Sequence, residues 1–347
     1  MTFVRKQWFL LGLFLAITAG LGIGGAGASL AAGLQQTVDS GMRWIVAVVL
    51  GLMSFTLRGD KLRAALRSPR AVLLACVCNS LLVPLLAWPL LPLQQASDFR
   101  LGLMIAASVP CTIAAASLWT RSAGGNDAVP LLTTLITNGL CFVVTPAWLR
   151  LAVAGPVILD TQRMTIDLIL TALIPISLGQ LLRLQPGWRD FADRWKTVLG
   201  IIAQSGILLT VFWTTLKSGP KLRAGADQFS GLSFLTVWAC CLGLHAVVTE
   251  FSLWMGGRLG LSTADRIGAT FAAAQKTLPI GVYVASRFPD SPFAVVPMVL
   301  YHATQLIYDS VAVARLNRML PASSEIVEAQ SPKSSTRPMP TETATPQ

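Results

Sequence analysis

A lysine stands at position 276 in the middle of an apolar stretch, Thr270 to Val284, in the order Ala274, Gln275, Lys276, Thr277, Leu278, Pro279, Ile280, Gly281. An ionisable side chain at bilayer depth is expensive, and by default it marks an ion or substrate pathway. Pro279 and Gly281 would interrupt a spanning helix here, and such breaks are tolerated only beside protein or a water-filled cavity. The competing reading is that Lys276 snorkels to an interface or makes a structural ion pair. Its place near the centre of the span argues against snorkelling. Glu250 is the nearest candidate counter-ion by type, but its place near the end of its own span suits headgroups or Arg258 equally well.

A second break lies at Ser108, Val109, Pro110, Cys111, Thr112. One membrane proline usually just kinks its helix. Two breaks at corresponding places in two halves of a chain point instead to the midplane site of a transporter. His302, Gln305 and Asp309 recur on one helix face and either line a cavity or join helices by hydrogen bonds. His245 has Thr249 at i+4 but no second ligand nearby, so it reads as a packing histidine. All six cysteines fall in apolar stretches without a Cys-x-x-Cys pair, which suits small buried side chains better than disulfides or metal. Gly22 to Gly27 matches a nucleotide fingerprint in letters only. With Gly20-xxx-Gly24 it reads as a close-packing helix face. No phosphate loop, zinc-protease or serine-elbow motif is present, so no enzymatic chemistry is expected.

The elements that must hold these residues are membrane helices. Of 347 residues 53% are hydrophobic and only 12% charged, with mean hydropathy +0.62, against about 25% charged in soluble domains. Segments of about 20 apolar residues cross roughly 30 Å of hydrocarbon. Ten are expected: Trp8–Leu30, Met42–Leu57, Ala71–Leu93, Leu101–Leu118, Val129–Val153, Ile166–Leu182, Thr197–Leu216, Phe229–Met255, Ile267–Arg287 and Phe293–Val313. The net charge of +11 sits between the spans rather than on a solvated basic face, which excludes nucleic acid as the partner. Of the 27 basic residues, 18 fall on the side of the N-terminus and 8 on the other, with Lys276 between them. The positive-inside rule therefore puts both termini in the cytoplasm. A cleaved signal peptide ending near Ala26 to Ala28 is an alternative, but removing it would leave an odd helix count and spoil the charge asymmetry.

Pro110 to Asn126, running on to Thr145 and Pro146, resembles the first helix crossover of the bile acid:sodium symporter family. Ala274 to Leu278 resembles the second, in its lysine-containing branch. Gly51 to Phe55, Val83 to Trp88 and Pro175 to Gln180 extend the likeness over essentially Trp8 to Leu320. The resemblance implies ten helices, a core and a panel domain, and crossed, discontinuous fourth and ninth helices. In sodium-coupled members, ions sit behind the crossing and an amphipathic organic anion enters a cavity between the domains. By position, Asn79, Thr134 and Gln275 match sodium ligands. A shared glutamate is replaced by Phe271, a ligand serine by Pro130, and a polar pair falls among Ala114, Ala115 and Ala116 beside Ser117. These departures put sodium coupling in question, because a bare ion needs several oxygens and compensating charge. Lys276 would be a tethered cation, with the proton as another coupling ion.

The expectation is an all-α polytopic membrane protein: residues 1–7 cytoplasmic, residues 8–320 a transporter domain of two inverted five-helix repeats (8–153 and 166–318), and residues 321–347 a disordered tail. It would move a small organic anion across a bacterial inner membrane by alternating access. The expected substrate and ion set is Asn79, Thr112, Ser117, Thr134, Asn138, Gln275, Lys276, Thr277 and His302, with Glu250 or Asp309 as counter-ion and no cofactor beyond a coupling sodium or proton. The alternative is a non-transporting membrane sensor or regulatory scaffold on the same fold.

Overall fold

A computed structural model describes residues 2–26, 28–112, 115–152, 160–224, 230–288 and 290–317, and every regular element among them is helical. The expected tail, 321–347, lies outside the described residues, as does Ala114. The helices are α1 (Thr2–Ala26), α2 (Ala28–Phe55), α3 (Gly59–Ala65), α4 (Pro69–Leu93), α5 (Ser97–Ser108), α6 (Ala115–Ser122), α7 (Ala128–Ala152), α8 (Thr161–Leu182), α9 (Pro186–Arg194), α10 (Lys196–Ala224), α11 (Gly231–Arg258), α12 (Thr263–Ala274), α13 (Leu278–Ser286) and α14 (Val295–Asn317). Helix occupies each of the ten expected spans, two of them as the interrupted pairs α5/α6 and α12/α13.

Among the described residues five helices, α4, α7, α8, α10 and α11, are long and apolar enough to cross a membrane, and α1 and α2 carry shorter apolar stretches. Leu73, Val77, Leu81 and Leu85 form an exposed stripe at i, i+4 along α4. Such a stripe is a liability in water and a lipid-facing surface in a bilayer. The chain is an all-α polytopic membrane protein.

The helices sort into two groups. α1, α2, α8 and α10 pack on one another, while α4 to α7 and α11 to α14 surround the two interrupted helices. Glycines allow the close approaches in the first group. Gly24 of α1 faces the backbone of α10 at Leu216, and Gly219 of α10 faces Gly24 in return, so a methyl on either would meet main chain. That is the packing role read from Gly20-xxx-Gly24. Two separate sequence stretches, Gly51–Phe55 and Pro175–Gln180, interlock in the same way: Ser54 Oγ donates to Ile176 O at 2.8 Å, and Gln180 Nε2 to Ser54 O at 2.6 Å.

Proline shapes α4. Cys78–Leu82 is a π turn in which the Val83 N–H bonds Cys78 O. Pro84 has no N–H, so Ser80 O loses its helical partner, and the Trp148 indole from α7 donates to it at 2.9 Å. Asn79 O is released by the same geometry, because Val83 is committed to Cys78 and Pro84 cannot donate. Replacing Trp148 with Phe should destabilise the protein by about 1 kcal/mol or somewhat more, measured by unfolding in detergent. In a Pro84→Ala background, where residue 84 regains an N–H, most of that loss should vanish.

Candidate functional site

Both interrupted helices end because the backbone turns extended. Val109, held out of the helical region by Pro110, has φ −67 and ψ 155, and Gln275 has φ −71 and ψ 135. The two breaks touch: the Thr277 N–H donates to Pro110 O at 2.9 Å. Each break strands helix-end carbonyls in an interior without water, where every one needs a donor. Neighbouring side chains supply them. At the first break, Thr145 Oγ1 donates to Ser108 O at 3.0 Å, Asn138 Nδ2 to Cys111 O at 2.8 Å, and Thr134 Oγ1 to Thr112 O at 3.0 Å. At the second, Asn79 Nδ2 lies 3.2, 3.2 and 2.9 Å from the carbonyls of Ala272, Ala273 and Gln275, and Tyr301 Oη donates to Ala274 O at 2.9 Å. Thr134 and Asn138 thus hold the crossing's backbone.

Lys276 is fully buried, and its ammonium is the remaining donor. Nζ lies 2.6 Å from Asn79 O, 3.0 Å from Val109 O and 3.4 Å from Asn79 Oδ1. Three N–H groups meet three oxygens. One is the carbonyl freed by the π turn, and another is at the C-terminal, partially negative end of α5. Among the described residues no carboxylate pairs with it, so the charge is balanced by peptide dipoles and an amide. This is not snorkelling. Of Asn79, Thr134 and Gln275, the side chains matched to sodium ligands, only Asn79 meets the ammonium.

The counter-ion expectation needs correcting for Glu250. It is half exposed and paired with Arg315 of α14 at 2.6 and 3.0 Å, because both face out from the ends of their helices. Asp309 is the buried carboxylate. It accepts from Gln275 Nε2 and lies 2.8 Å from His245 Nε2, with both its partners inside the core. His245, read from sequence as a packing residue, is therefore half of a buried hydrogen-bonded dyad. No spacing rule could have joined it to a carboxylate 64 residues away. The Gln275 amide is committed to Asp309, and its Oε1 has no partner. Phe271, at the position where the resemblance has a glutamate, is buried in an apolar cluster with Ile267, Leu253 and Leu316.

A cavity of about 330 Å³ lies beside the crossing. Thr112 and the first residues of α6 and α13, Ala115, Leu278 and Pro279, open onto it. Trp8, Phe9 and Trp119 supply aromatic walls and Thr112, Gln204, His302 and Ser310 polar ones, with no acidic residue among the described lining. Helix N-termini carry a partial positive charge. A second cavity of about 240 Å³ shares Met53 and Gln204 in its wall and adds Arg58, Arg121, Lys196 and the buried, unpartnered Ser117 hydroxyl. The sequence reading did not anticipate this chamber, because Arg58 precedes α3, Arg121 lies near the end of α6 and Lys196 begins α10, far apart in sequence.

The family model for the SBF-like CPA transporter family matches residues 7–318. Sodium/bile acid cotransporter 7 of Xenopus tropicalis is 24% identical over 321 residues, covering 89% of this chain and 91% of that protein. The Rattus norvegicus protein of the same name is 23% identical over 321 residues, covering 89% and 92%. A probable sodium/metabolite cotransporter BASS4, chloroplastic, of Oryza sativa subsp. indica is 30% identical over 281 residues, covering 76% and 65%. These relatives are named as cotransporters and not as enzymes.

Asp309→Asn would turn an amide towards two donors, Gln275 and His245. It should lower stability by about 3 kcal/mol. Glu250→Gln, breaking an exposed pair, should lower it by less than about 1 kcal/mol. Denaturant unfolding of the two variants side by side checks the order.

Proposed function

The chain belongs to the SBF-like CPA transporter family, and on that footing we propose that it is a secondary transporter that carries a small organic anion by alternating access, with the Lys276 ammonium standing where sodium-coupled relatives would hold an ion. The observation that carries this reading is the lysine's seat. Nζ takes two carbonyls and one amide oxygen at the crossing, the kind of neutral oxygen cage a sodium ion would also use. Asn79 is committed to Lys276 and three carbonyls, and Thr134 donates to Thr112 O, while Gln275 gives its amide N–H to Asp309 and keeps only its Oε1 without a partner among the described residues. Phe271 brings no charge to offset a second cation. A cation tethered to the chain takes the place of sodium and leaves a proton as the coupling ion.

Two features support an anionic substrate. The inner cavity meets the starts of α6 and α13 and has no acidic residue in its described lining, and the adjoining chamber is lined by Arg58, Lys196 and Arg121, the last paired with Asp127 at 3.1 Å. Positive charge along a low-dielectric cleft concentrates anions. Arg58, Arg121 and Lys196 lie on the side that the charge asymmetry assigns to the cytoplasm, so this conformation faces inward, with both termini cytoplasmic in a bacterial inner membrane. The organisation follows: two five-helix halves of opposite orientation over residues 8–320, followed by a tail.

Thermal unfolding of the purified protein at fixed ionic strength, in sodium or in choline, with a panel of organic anions including bile salts, tests the reading. A bound ligand raises the midpoint by mass action. The expected result is an anion response that is equal in both salts and lost in Lys276→Ala. A response that requires sodium would overturn the tethered-cation role. No anion-dependent uptake by protein-loaded vesicles would favour the sensor reading instead.

A further inference from the structure

Gln305 of α14 has no freedom in how its amide is oriented. The main-chain N–H of Lys276 donates to Gln305 Oε1 at 2.9 Å, and a backbone N–H can only donate. The other amide atom is therefore the nitrogen, which lies 3.1 Å from Lys276 O and 2.8 Å from His302 Nδ1. Both amide hydrogens are spent on these two acceptors. A proton on Nδ1 would face the Gln305 amide nitrogen at 2.8 Å, with Lys276 O as the one competing acceptor already taken by that same amide, and this geometry favours the ring proton on Nε2. That atom is buried and has no hydrogen-bond partner among the described residues, His302 is only 5% exposed, and the ring lines the inner cavity with Phe9 edge-to-face at 6.0 Å. The Trp119 indole adds a second buried N–H in the same wall without a partner among the described residues. Buried donors are rarely left unmet unless something else supplies the acceptor.

We propose that His302 is the recognition residue of this cavity: its Nε2–H donates to a carboxylate or sulfonate oxygen of a ligand whose apolar body lies among Trp8, Phe9 and Trp119. Gln305 is the positioning residue that fixes the donating tautomer. The proposal rests on the carrier reading and adds the ligand's polarity and a route for its effect. Gln305 holds both the N–H and the C=O of Lys276, so a ligand drawn onto His302 acts on the residue that carries the tethered cation. The link is a contiguous chain of hydrogen bonds from the cavity to the crossing.

The test uses the full chain in lipid nanodiscs with nitrogen-15 histidine. The chain has only two histidines, and the signal that disappears in His302→Gln belongs to residue 302. The expected wild-type spectrum at neutral pH is a neutral ring with its proton on Nε2. In Gln305→Glu, where an oxygen replaces the amide nitrogen, the proton should appear on Nδ1 or on both nitrogens. The probe ligand is 2-naphthoate, with 2-naphthylmethylammonium as the cationic control. Naphthoate should shift the Nε2 signal and raise the melting midpoint. His302→Phe should weaken that binding at least tenfold, whereas His302→Gln, which keeps an N–H at similar reach, should retain most of it. A wild-type Nδ1–H or doubly protonated ring would overturn the tautomer. Naphthoate that leaves His302 unmoved, binds His302→Phe equally, or binds no better than the ammonium would overturn the recognition role. Absent vesicle uptake with the Nε2–H ring and naphthoate binding intact would defeat the carrier reading alone.

Discussion

A broken helix inside a bilayer must find a donor for every carbonyl it strands, and that requirement organises this protein. Two helices break at the same depth, and their extended segments bond each other through Thr277 and Pro110. The remaining carbonyls are met by Asn79, Thr134, Asn138, Thr145, Tyr301 and Lys276. Removing any one leaves a polar group in a medium where each unmet bond costs several kcal/mol. The polar residues of α4, α7 and α14 are thus scaffold first, and any ligand chemistry is built on what they leave over.

Lys276 links scaffold and function. Its charge would be prohibitive in an apolar interior, yet the π turn of α4 and the end of α5 present oxygens of matching number and polarity. The fit runs both ways, because the same oxygens would be unmet without the ammonium. A mobile ion can leave such a cage and a side chain cannot, which separates this arrangement from one built to cycle an ion. The buried carboxylate is held apart from the ammonium, on Gln275 and His245. The crossing therefore carries two opposite charges anchored through adjacent residues, Gln275 and Lys276, to one helix, α14.

That anchoring makes α14 a natural transmitter. One face, with Gln305 and Asp309, grips the crossing, while His302, Leu306 and Ser310 line the cavity. A ligand in the cavity and a charge at the crossing thus act on the same helix, three or four residues apart. Coupling by rigid secondary structure and hydrogen bonds requires this kind of shared element.

Composition and hydropathy alone determined that this chain is a helical membrane protein, since so few charges leave only closed backbone structures as spanning solutions. Pro110, Pro279 and the buried lysine located the crossing, because proline and charge have strong local consequences wherever they fall. Pro84 marked a lost helical bond at Ser80 O, whereas the release of Asn79 O came from the π turn and was visible only in the structure. The tertiary structure alone decided the partners. It set Asp309 against His245, gave Glu250 to Arg315, turned Thr134 and Asn138 towards backbone, and brought Arg58, Arg121 and Lys196 around one chamber. These are contacts between side chains distant in sequence. A period or motif specifies which face a residue occupies, whereas the identity of its neighbour is set by how helices pack.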